Sequence, residues 1–401
     1  MTADAHWSDW SPVGREAPWS VGVEEEVMLL DSHDWSLAQQ IDRVIPALPP
    51  EFARHVTTET HKSALELSTC VHQKAAGVAE ELLALRTSLD RSLPPLGLRA
   101  ASAGTHPFTV WHETDVSTGP RFELVNGSMR ELARREPTFG LHVHVGVSDP
   151  EDAVFLYNQM RAHLPLLLAL SVNSPFWQGR DTGLASARTP LFQAFPRVGI
   201  PRAFASYDEW VETVDLLVRC EAFSGPTCLW WDVRLQPQFG TVELRIFDSQ
   251  STVAETAALA ALVQSVARLE IEEGHAAPEL VDTPEVLSEN RFLAARDGMD
   301  ARLIDPVLER RVPARQQAAE LLEACQPHAV ALDCEVELEG VGRLTERTGA
   351  ERQLEFARGE ARLPGLVCEL SDAFRMAWPD AGRELGGRRR FSAPDAAART
   401  A

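Results

Sequence analysis

Four stretches of the chain alternate apolar and polar side chains with a period of two, the signature of a strand with one buried face. In residues 21–29, Val21, Val23, Val27 and Leu29 share a face with Glu25, and Glu24, Glu26 and Met28 share the other. In 64–69, Leu65 and Leu67 oppose Glu66 and Ser68. In 141–147, Leu141, Val143, Val145 and Val147 oppose His142, His144 and Gly146. In 241–247, Val242, Leu244 and Ile246 oppose Glu243 and Arg245.

Between these stretches the period changes to that of helices. Residues 75–93 read as one. Asp149, Pro150 and Glu151 supply an N-cap, a proline suited to the first turn and an acidic start for a helix to 170. Ser206 and Glu209 form a capping box before 210–217, and Thr252 and Glu255 form another that opens a helix to about 270. Thr283-Pro284 opens a shorter one, and the chain after Pro306 reads as helical almost throughout. Strands interspersed with long helices predict an α+β fold. Its expected form is a curved, mainly antiparallel sheet with helices on the apolar face and a polar concave face.

Composition narrows the function. The chain has 401 residues, 44% hydrophobic and 24% charged, which is globular and large enough for a core without disulfides. With 38 Lys and Arg against 59 Asp and Glu, the net charge is −21, so nucleic acid is not an expected partner. Six scattered cysteines include no CxxC pair, which reads as reduced and cytoplasmic. The first 19 residues lack a basic region followed by an apolar one, so no signal peptide is expected. The apolar stretch 164–172 is far too short to span a membrane. Residues 1–18 read as an extension, 19–385 as a single catalytic domain whose part from about 306 is helical, and 386–401 as a disordered tail carrying Arg388, Arg389 and Arg390.

The polar strand faces carry the chemistry. A solvated face is the ordinary fate of such positions, but Thr, Lys, Arg and Gln usually fill it. Here Glu24, Glu26, Glu66 and Glu243 recur with His142, His144 and Arg245. Two carboxylates ~5 Å apart repel by roughly 3 kcal/mol at an effective dielectric near 20. Arg234 and Arg245 could offset this, but a row of oxygen donors suits Mg²⁺ or Mn²⁺. The His142-x-His144 pair also admits a zinc hydrolase, although the later histidines fall in helical or loop-like sequence. No glycine-rich phosphate loop and no GxSxG is present, so any ATP would be held by metals and side chains. Residues 173–183, extended by 185–188 and the prolines to Pro201, are too polar for core and too aromatic for a linker, and read as a functional loop. Asn290, Arg291 and Arg296, on a short helix, could hold an anion.

Seven motifs in order are Gly22-Val-Glu-Glu-Glu26, Glu66-Leu-Ser-Thr69, Ala103-Gly-Thr-His-Pro107, Gly140-Leu-His-Val-His-Val-Gly146, Asn173-Ser-Pro-Phe-Trp-Gln-Gly-Arg-Asp-Thr-Gly183, Trp231-Asp-Val-Arg234 and Gly240-Thr-Val-Glu-Leu-Arg245. Together they resemble the glutamate–cysteine ligase superfamily, in its type 2 branch of bacterial carboxylate–amine ligases. The resemblance runs from about Trp19 to about Pro313. Cys70 departs from it, standing where a small residue or proline is expected.

The resemblance implies a funnel-like antiparallel sheet related to glutamine synthetase, and ATP-dependent amide formation through an acyl phosphate. It implies Glu24, Glu26, Glu66 and Glu243 as ligands of Mg²⁺ or Mn²⁺, His142 as a metal or phosphate neighbour, and Arg245 facing the transferred phosphoryl group. Arg234, Asn290, Arg291 and Arg296 become candidates for ATP. Asn173, Trp177, Arg180 and Arg188 become candidates for the small-molecule substrates, an amino-acid carboxylate and an amine. Self-association stays open. A binding protein that keeps the fold without turnover is a further alternative, against which the four intact glutamates count.

Overall fold

The structure, a computed structural model, describes residues 6–135, 137–358 and 362–376. Seven strands make one antiparallel sheet: β1 (Val21–Asp31), β2 (Val56–Thr58), β3 (Ala64–Ser68), β4 (Leu98–Ala101), β5 (Gly140–Gly146), β6 (Val233–Gln236) and β7 (Thr241–Asp248). They lie in the order β6-β7-β5-β1-β3-β2, with β4 paired to the C-terminal half of β1. The helices include α1 (Ala75–Ser92), α2 (Pro150–Ser171), α3 (Tyr207–Arg219), α4 (Val253–Glu273), α5 (Pro284–Asp297), α6 (Ala314–Leu332), α7 (Glu335–Glu346), α8 (Gly349–Ala357) and α9 (Leu363–Phe374). This is the α+β fold that the two alternating periods predict.

One face of the sheet is apolar for its whole width. Val21, Val23, Val27, Leu65, Leu67, Leu141, Val143, Val145, Val233, Leu235, Val242, Leu244 and Ile246 are all buried in one core. Helix α4 lies at its centre and packs against α1, α2, α6 and α7. It is apolar around most of its circumference, as a helix enclosed on all sides must be. The capping boxes appear as expected: the Thr252 and Glu255 side chains satisfy each other's backbone N–H groups. Ser206 caps α3 and Asp149 caps α2.

The opposite face is polar over only half its length. Met28, Leu30, Ala64 and Ala101 form a second core with Phe139, Phe176 and Leu366, Val367 and Leu370 of α9. Met28, expected beside the glutamates on a polar face, is therefore fully buried.

One expectation changes. The segment after Pro306 does not enter a helix at once: β8 (Arg302–Asp305) and β9 (Arg310–Pro313) first form a hairpin, and α6 follows. Alternation in Arg310–Pro313 is masked by two arginines, Arg310 and Arg311, leaving Val312 as the single buried position. Residues 6–18, the described part of the extension, pack onto the rest of the fold. Trp7 packs edge-on against Trp210, Trp10 donates through Nε1 to the Val147 carbonyl at 2.9 Å, and the Tyr207 hydroxyl donates to the Ser8 carbonyl at 2.6 Å. The proposed domain end at 385 and the tail 386–401 lie outside the described residues. No helix among the described residues is long and apolar enough to cross a membrane.

Alternation forces Glu25 into the apolar core between Glu24 and Glu26, and the fold answers with Arg86 of α1. Both side chains are fully buried. Arg86 donates through Nε to Glu25 at 2.9 Å and bonds its second oxygen through a terminal nitrogen. The same guanidinium reaches the carbonyls of Gln250 and Ser251 at 2.8 and 2.9 Å. Replacing one partner of a buried pair leaves a naked charge, which costs about 3–5 kcal/mol. Arg86→Met should lower the urea-unfolding free energy by about that much. A loss below about 1 kcal/mol would show that the pair contributes no more than a surface one.

Candidate active site

The two central strands of the sheet place the polar end. Register pairs Glu24 with His142 and with Ser68, and Glu26 with Glu66. Glu243 pairs with His144 on one side and Arg234 on the other. Between Leu244 and Phe247 the β5–β7 register shifts, so two residues, Arg245 and Ile246, oppose the single His142. Such a bulge re-aims side chains. Here Arg245 keeps the face of Glu243 and reaches His142 Nδ1 at 3.3 Å.

His142 is the hub. Its Nδ1 lies 3.2 Å from Glu24, 3.9 Å from Glu243 and 4.0 Å from Glu66, and its Nε2 lies 3.8 Å from Glu26. Two sets of donors share it: Glu24, His142 and Glu243, and Glu26, Glu66 and His142, the ligand atoms of each within 4.8 Å of one another. His144 enters neither set. Its Nδ1 bonds the Thr241 hydroxyl at 3.1 Å, and its Nε2 stands 3.5 Å from Glu24. The HxH pair is therefore not brought onto one ion, as a zinc hydrolase would need.

The four carboxylates divide by how they are satisfied. Glu243, fully buried, accepts from Arg234 at 2.8 and 3.1 Å, from Gln236 at 2.7 Å and from Arg245 at 2.5 Å. Burial opposes its charge, but Arg234, Arg245 and His144 outweigh burial and hold its carboxyl below the usual range. Glu24 is likewise held low: burial works against it, and His144 and His142 prevail. Glu26 has the Gly140 N–H at 2.5 Å, and Glu66 the Thr57 hydroxyl at 3.0 Å. Burial dominates both. It lifts Glu26 to about 7, with Glu66 adding to the rise and Arg188 opposing it, and lifts Glu66 to about 8, with Glu24 and Glu59 adding.

The donor chemistry fits a hard divalent cation. Burial and Arg245 hold His142 neutral, its pKa lowered to about 4. A neutral imidazole has one N–H, so one of its nitrogens must present a lone pair to a neighbouring carboxylate. A cation between them converts that repulsion into ligation and offsets the cost of ionising Glu26 and Glu66.

Comparison with known proteins decides the family. Residues 20–366 match the profile of glutamate-cysteine ligase family 2 (GCS2). The chain belongs to this family. A Rubrobacter xylanophilus relative, named "Putative glutamate--cysteine ligase 2-1", is 38% identical over 360 residues, covering 90% of this chain and 96% of its own. Among solved structures, a glutamate–cysteine ligase of Francisella tularensis in complex with AMP superposes with a TM-score of 0.64 at 14% identity, over 90% of each chain. A bifunctional glutathione synthetase of Pasteurella multocida gives 0.67 at 16% identity, over 89% of this chain and 52% of that one. The fold is that of glutamate–cysteine ligases.

In this member of family 2 the remaining candidates fall into distinct places. Arg188 is buried against Gly140, where a Cβ would collide with its guanidinium. It donates to the carbonyls of Ile246 and Arg245 at 3.2 and 3.3 Å, and its charge acts on Glu26. Arg291 joins the site through Asp232, at 2.5 and 3.2 Å, whose carbonyl accepts from the Arg245 N–H. Others are not brought to the carboxylates. Asn290 is buried, with both amide atoms spent on the Ile304 backbone, so it braces β8 against α5. Asn173 is buried and bonded to Ser249, Ser251 and Gln353. Arg296 is exposed and paired with Asp297. Trp177 and Arg180 sit in a two-residue antiparallel pairing, Trp177 half-buried and Arg180 exposed.

Sequence reasoning missed Gln236, Thr57 and Asp232 as partners of Glu243, Glu66 and Arg291. Asp232 stands within a quoted motif, and Gln236 follows Arg234 at the strand period, so both carried a signal; Thr57 carried none.

The raised carboxyls set a pH dependence. A carboxyl whose folded pKa lies above its unfolded value binds more protons when folded, so stability falls as pH rises through that range. Between about pH 6.5 and 8, metal-free protein should lose stability through Glu26 and Glu66, and through His144, where burial is outweighed by Glu243 and Glu24 and the imidazole is raised. Histidines held low, such as His142, act below that window. The loss should be smaller in Glu66→Gln, and Mg²⁺ or Mn²⁺ should stabilise the protein more at pH 8 than at 6.5. Melting temperatures across this range check it; equal slopes in both proteins would refute the assignment of Glu66.

Proposed function

We propose that this protein is an ATP- and Mg²⁺- or Mn²⁺-dependent carboxylate–amine ligase that makes an amide bond through an acyl phosphate, with at least weak glutamate–cysteine ligase activity. The observation that carries the reading is the convergence of Glu24, Glu26, Glu66 and Glu243 around His142 in a family 2 chain. A carboxylate does not condense with an amine in water until one oxygen becomes a phosphate leaving group. The catalyst must align the γ-phosphoryl group with that oxygen and neutralise the spreading charge.

Each residue then has a task. The four glutamates and His142 would hold the metal, which supplies charge to the polyphosphate. Arg234 and Gln236 keep Glu243 ionised and fixed. Arg245 faces the transferring group. One of its N–H groups holds Glu243, while its Nε is buried with no partner among the described residues, a donor free for an oxyanion. Arg188 and Arg291 add positive charge within the same neighbourhood, whereas Trp177 and Arg180 stay candidates for the amino-acid substrate on the resemblance alone. A phosphate-release screen over amino-acid pairs tests the reading. Release that needs both ATP and an amine supports it; ATP-independent cleavage would support the hydrolase, and neither activity the binding protein.

Two variants probe it further. Glu26→Gln removes one ligand charge at nearly constant shape and should abolish most ATP turnover with the fold intact; unchanged turnover and unchanged Mg²⁺ dependence would remove Glu26 from the ligands. Arg245→Lys keeps the charge and loses the planar fork. If the fork contacts phosphoryl oxygens, kcat should fall by about 10²-fold or more while ATP affinity changes much less. A kcat within a few-fold of wild type would leave Arg245 a charge balance only.

A further inference from the structure

A second group of ligand-type side chains has no part in the reading above. His55 immediately precedes β2, Cys70 stands two residues beyond β3, and Glu81 lies in the second turn of α1. An imidazole nitrogen, the thiol sulfur and a carboxylate oxygen from these three fall within 4.8 Å of one another. The Glu81 carboxylate is already oriented. Its Oε2 accepts from the Cys70 N–H at 2.7 Å and meets His72 Nε2 at 2.6 Å, which leaves Oε1 toward His55 Nδ1 at 3.8 Å. The chain ends that carry the group are tied together by the Ser68 N–H, which donates to the His55 carbonyl at 2.9 Å.

This set differs in chemistry from the one around His142. Mg²⁺ and Mn²⁺ favour oxygen, whereas a thiolate with an imidazole and a carboxylate is a ligand set for zinc, four-coordinate with water completing it. Thiolate and carboxylate together balance a divalent charge. A thiol beside a carboxylate, with no cation, gains nothing from ionising. Zinc bonds of about 2.0–2.3 Å would draw the three ligand atoms inward by about 1 Å. Cys70 is exposed, and the move needs only side-chain rotation there. Nε2 of His55 accepts from exposed Arg54 at 2.9 Å, and Nδ1 lies 3.0 Å from the Ser68 carbonyl. Ligation through Nδ1 replaces the latter contact and releases Arg54. The bond from His72 to the liganding carboxylate is the kind of outer support that metal sites use.

We propose that His55, Cys70 and Glu81 form a zinc site, with His72 as the positioning residue of Glu81, separate from the carboxylate set around His142. Its ion clamps the β2–β3 hairpin, which presents Thr57 and Glu66, onto α1.

Cobalt tests the ligands directly. A tetrahedral Co²⁺ site with a thiolate shows a sulfur-to-metal charge-transfer band in the near ultraviolet, which oxygen and nitrogen ligands alone do not give. Metal-free full-length protein titrated with Co²⁺ should develop the band to one equivalent and lose it on adding Zn²⁺. Glu243→Gln, altered in the other site, should keep it. Cys70→Ser should lack it, and His72→Ala should bind about 10–100-fold more weakly. As a readout on the native thiol, one equivalent of Zn²⁺ should slow alkylation of Cys70 in the wild type at least ten-fold, and not in His55→Ala. Co²⁺ binding without the band, a band that survives Cys70→Ser, or an unchanged alkylation rate would each overturn the site.

Discussion

Four carboxylates on one buried sheet face repel one another, and the architecture of this end of the molecule answers that repulsion. Glu243 is neutralised by two guanidiniums and an amide, and Glu24 sits between two imidazoles. Each of these two pays its desolvation with groups of this chain. Glu26 and Glu66 do not: each has a single neutral donor, and burial leaves both reluctant to ionise. Half of the set is thus ready-charged and half waits. A cation binding there must displace protons, which ties metal affinity to pH and makes the empty site less repulsive than four full charges would be.

The same strand solves a second problem on its other side. Three glutamates in a row cannot all face one way, since successive strand residues alternate. Glu25 therefore enters the apolar core, and Arg86 meets it there with further bonds to the carbonyls that follow β7. Those carbonyls lead into the Thr252 cap of α4. The ion pair consequently ties α1, the strand bearing Glu24 and Glu26, and the start of the central helix to one another. A ligand geometry carried on short side chains requires a fixed backbone, and this buried pair supplies part of it.

Much of this was legible in the sequence because alternation is a strong signal where one strand face is entirely core. All four expected strands occur, and the glutamates, His142 and Arg245 converge as their faces required. The helix starts were equally readable, since Asp149, Ser206 and Thr252 announce themselves by local hydrogen bonding. What failed did so where local pattern is silent. Arg310 and Arg311 hid a strand because the second strand of the hairpin buries only Val312. Asn290 and Asn173 looked like ligand-binding groups but satisfy backbone and side-chain partners inside the fold, a use of asparagine that no spacing reveals. The bulge in β7 was likewise invisible, because it arises from pairing with β5 and not from either strand alone.

Charge counting bears on how so acidic a protein could take the anionic substrate proposed above. Around the site stand four guanidiniums, those of Arg188, Arg234, Arg245 and Arg291. Seven carboxylates accompany them: Glu24, Glu26, Glu59, Glu66, Glu243, Asp232 and Asp248, the last a buried neighbour of Arg188. With every carboxylate ionised the set is three charges negative, so one divalent cation leaves it negative and a second makes it positive. The two donor groups that share His142 offer places for two. On the function proposed above, a polyphosphate then meets a positive surface only after metal has bound, although the chain as a whole carries −21. The arginines alone cannot reverse the sign, because the carboxylates outnumber them. On that proposal, selectivity for a metal–nucleotide complex over free nucleotide would follow from the balance.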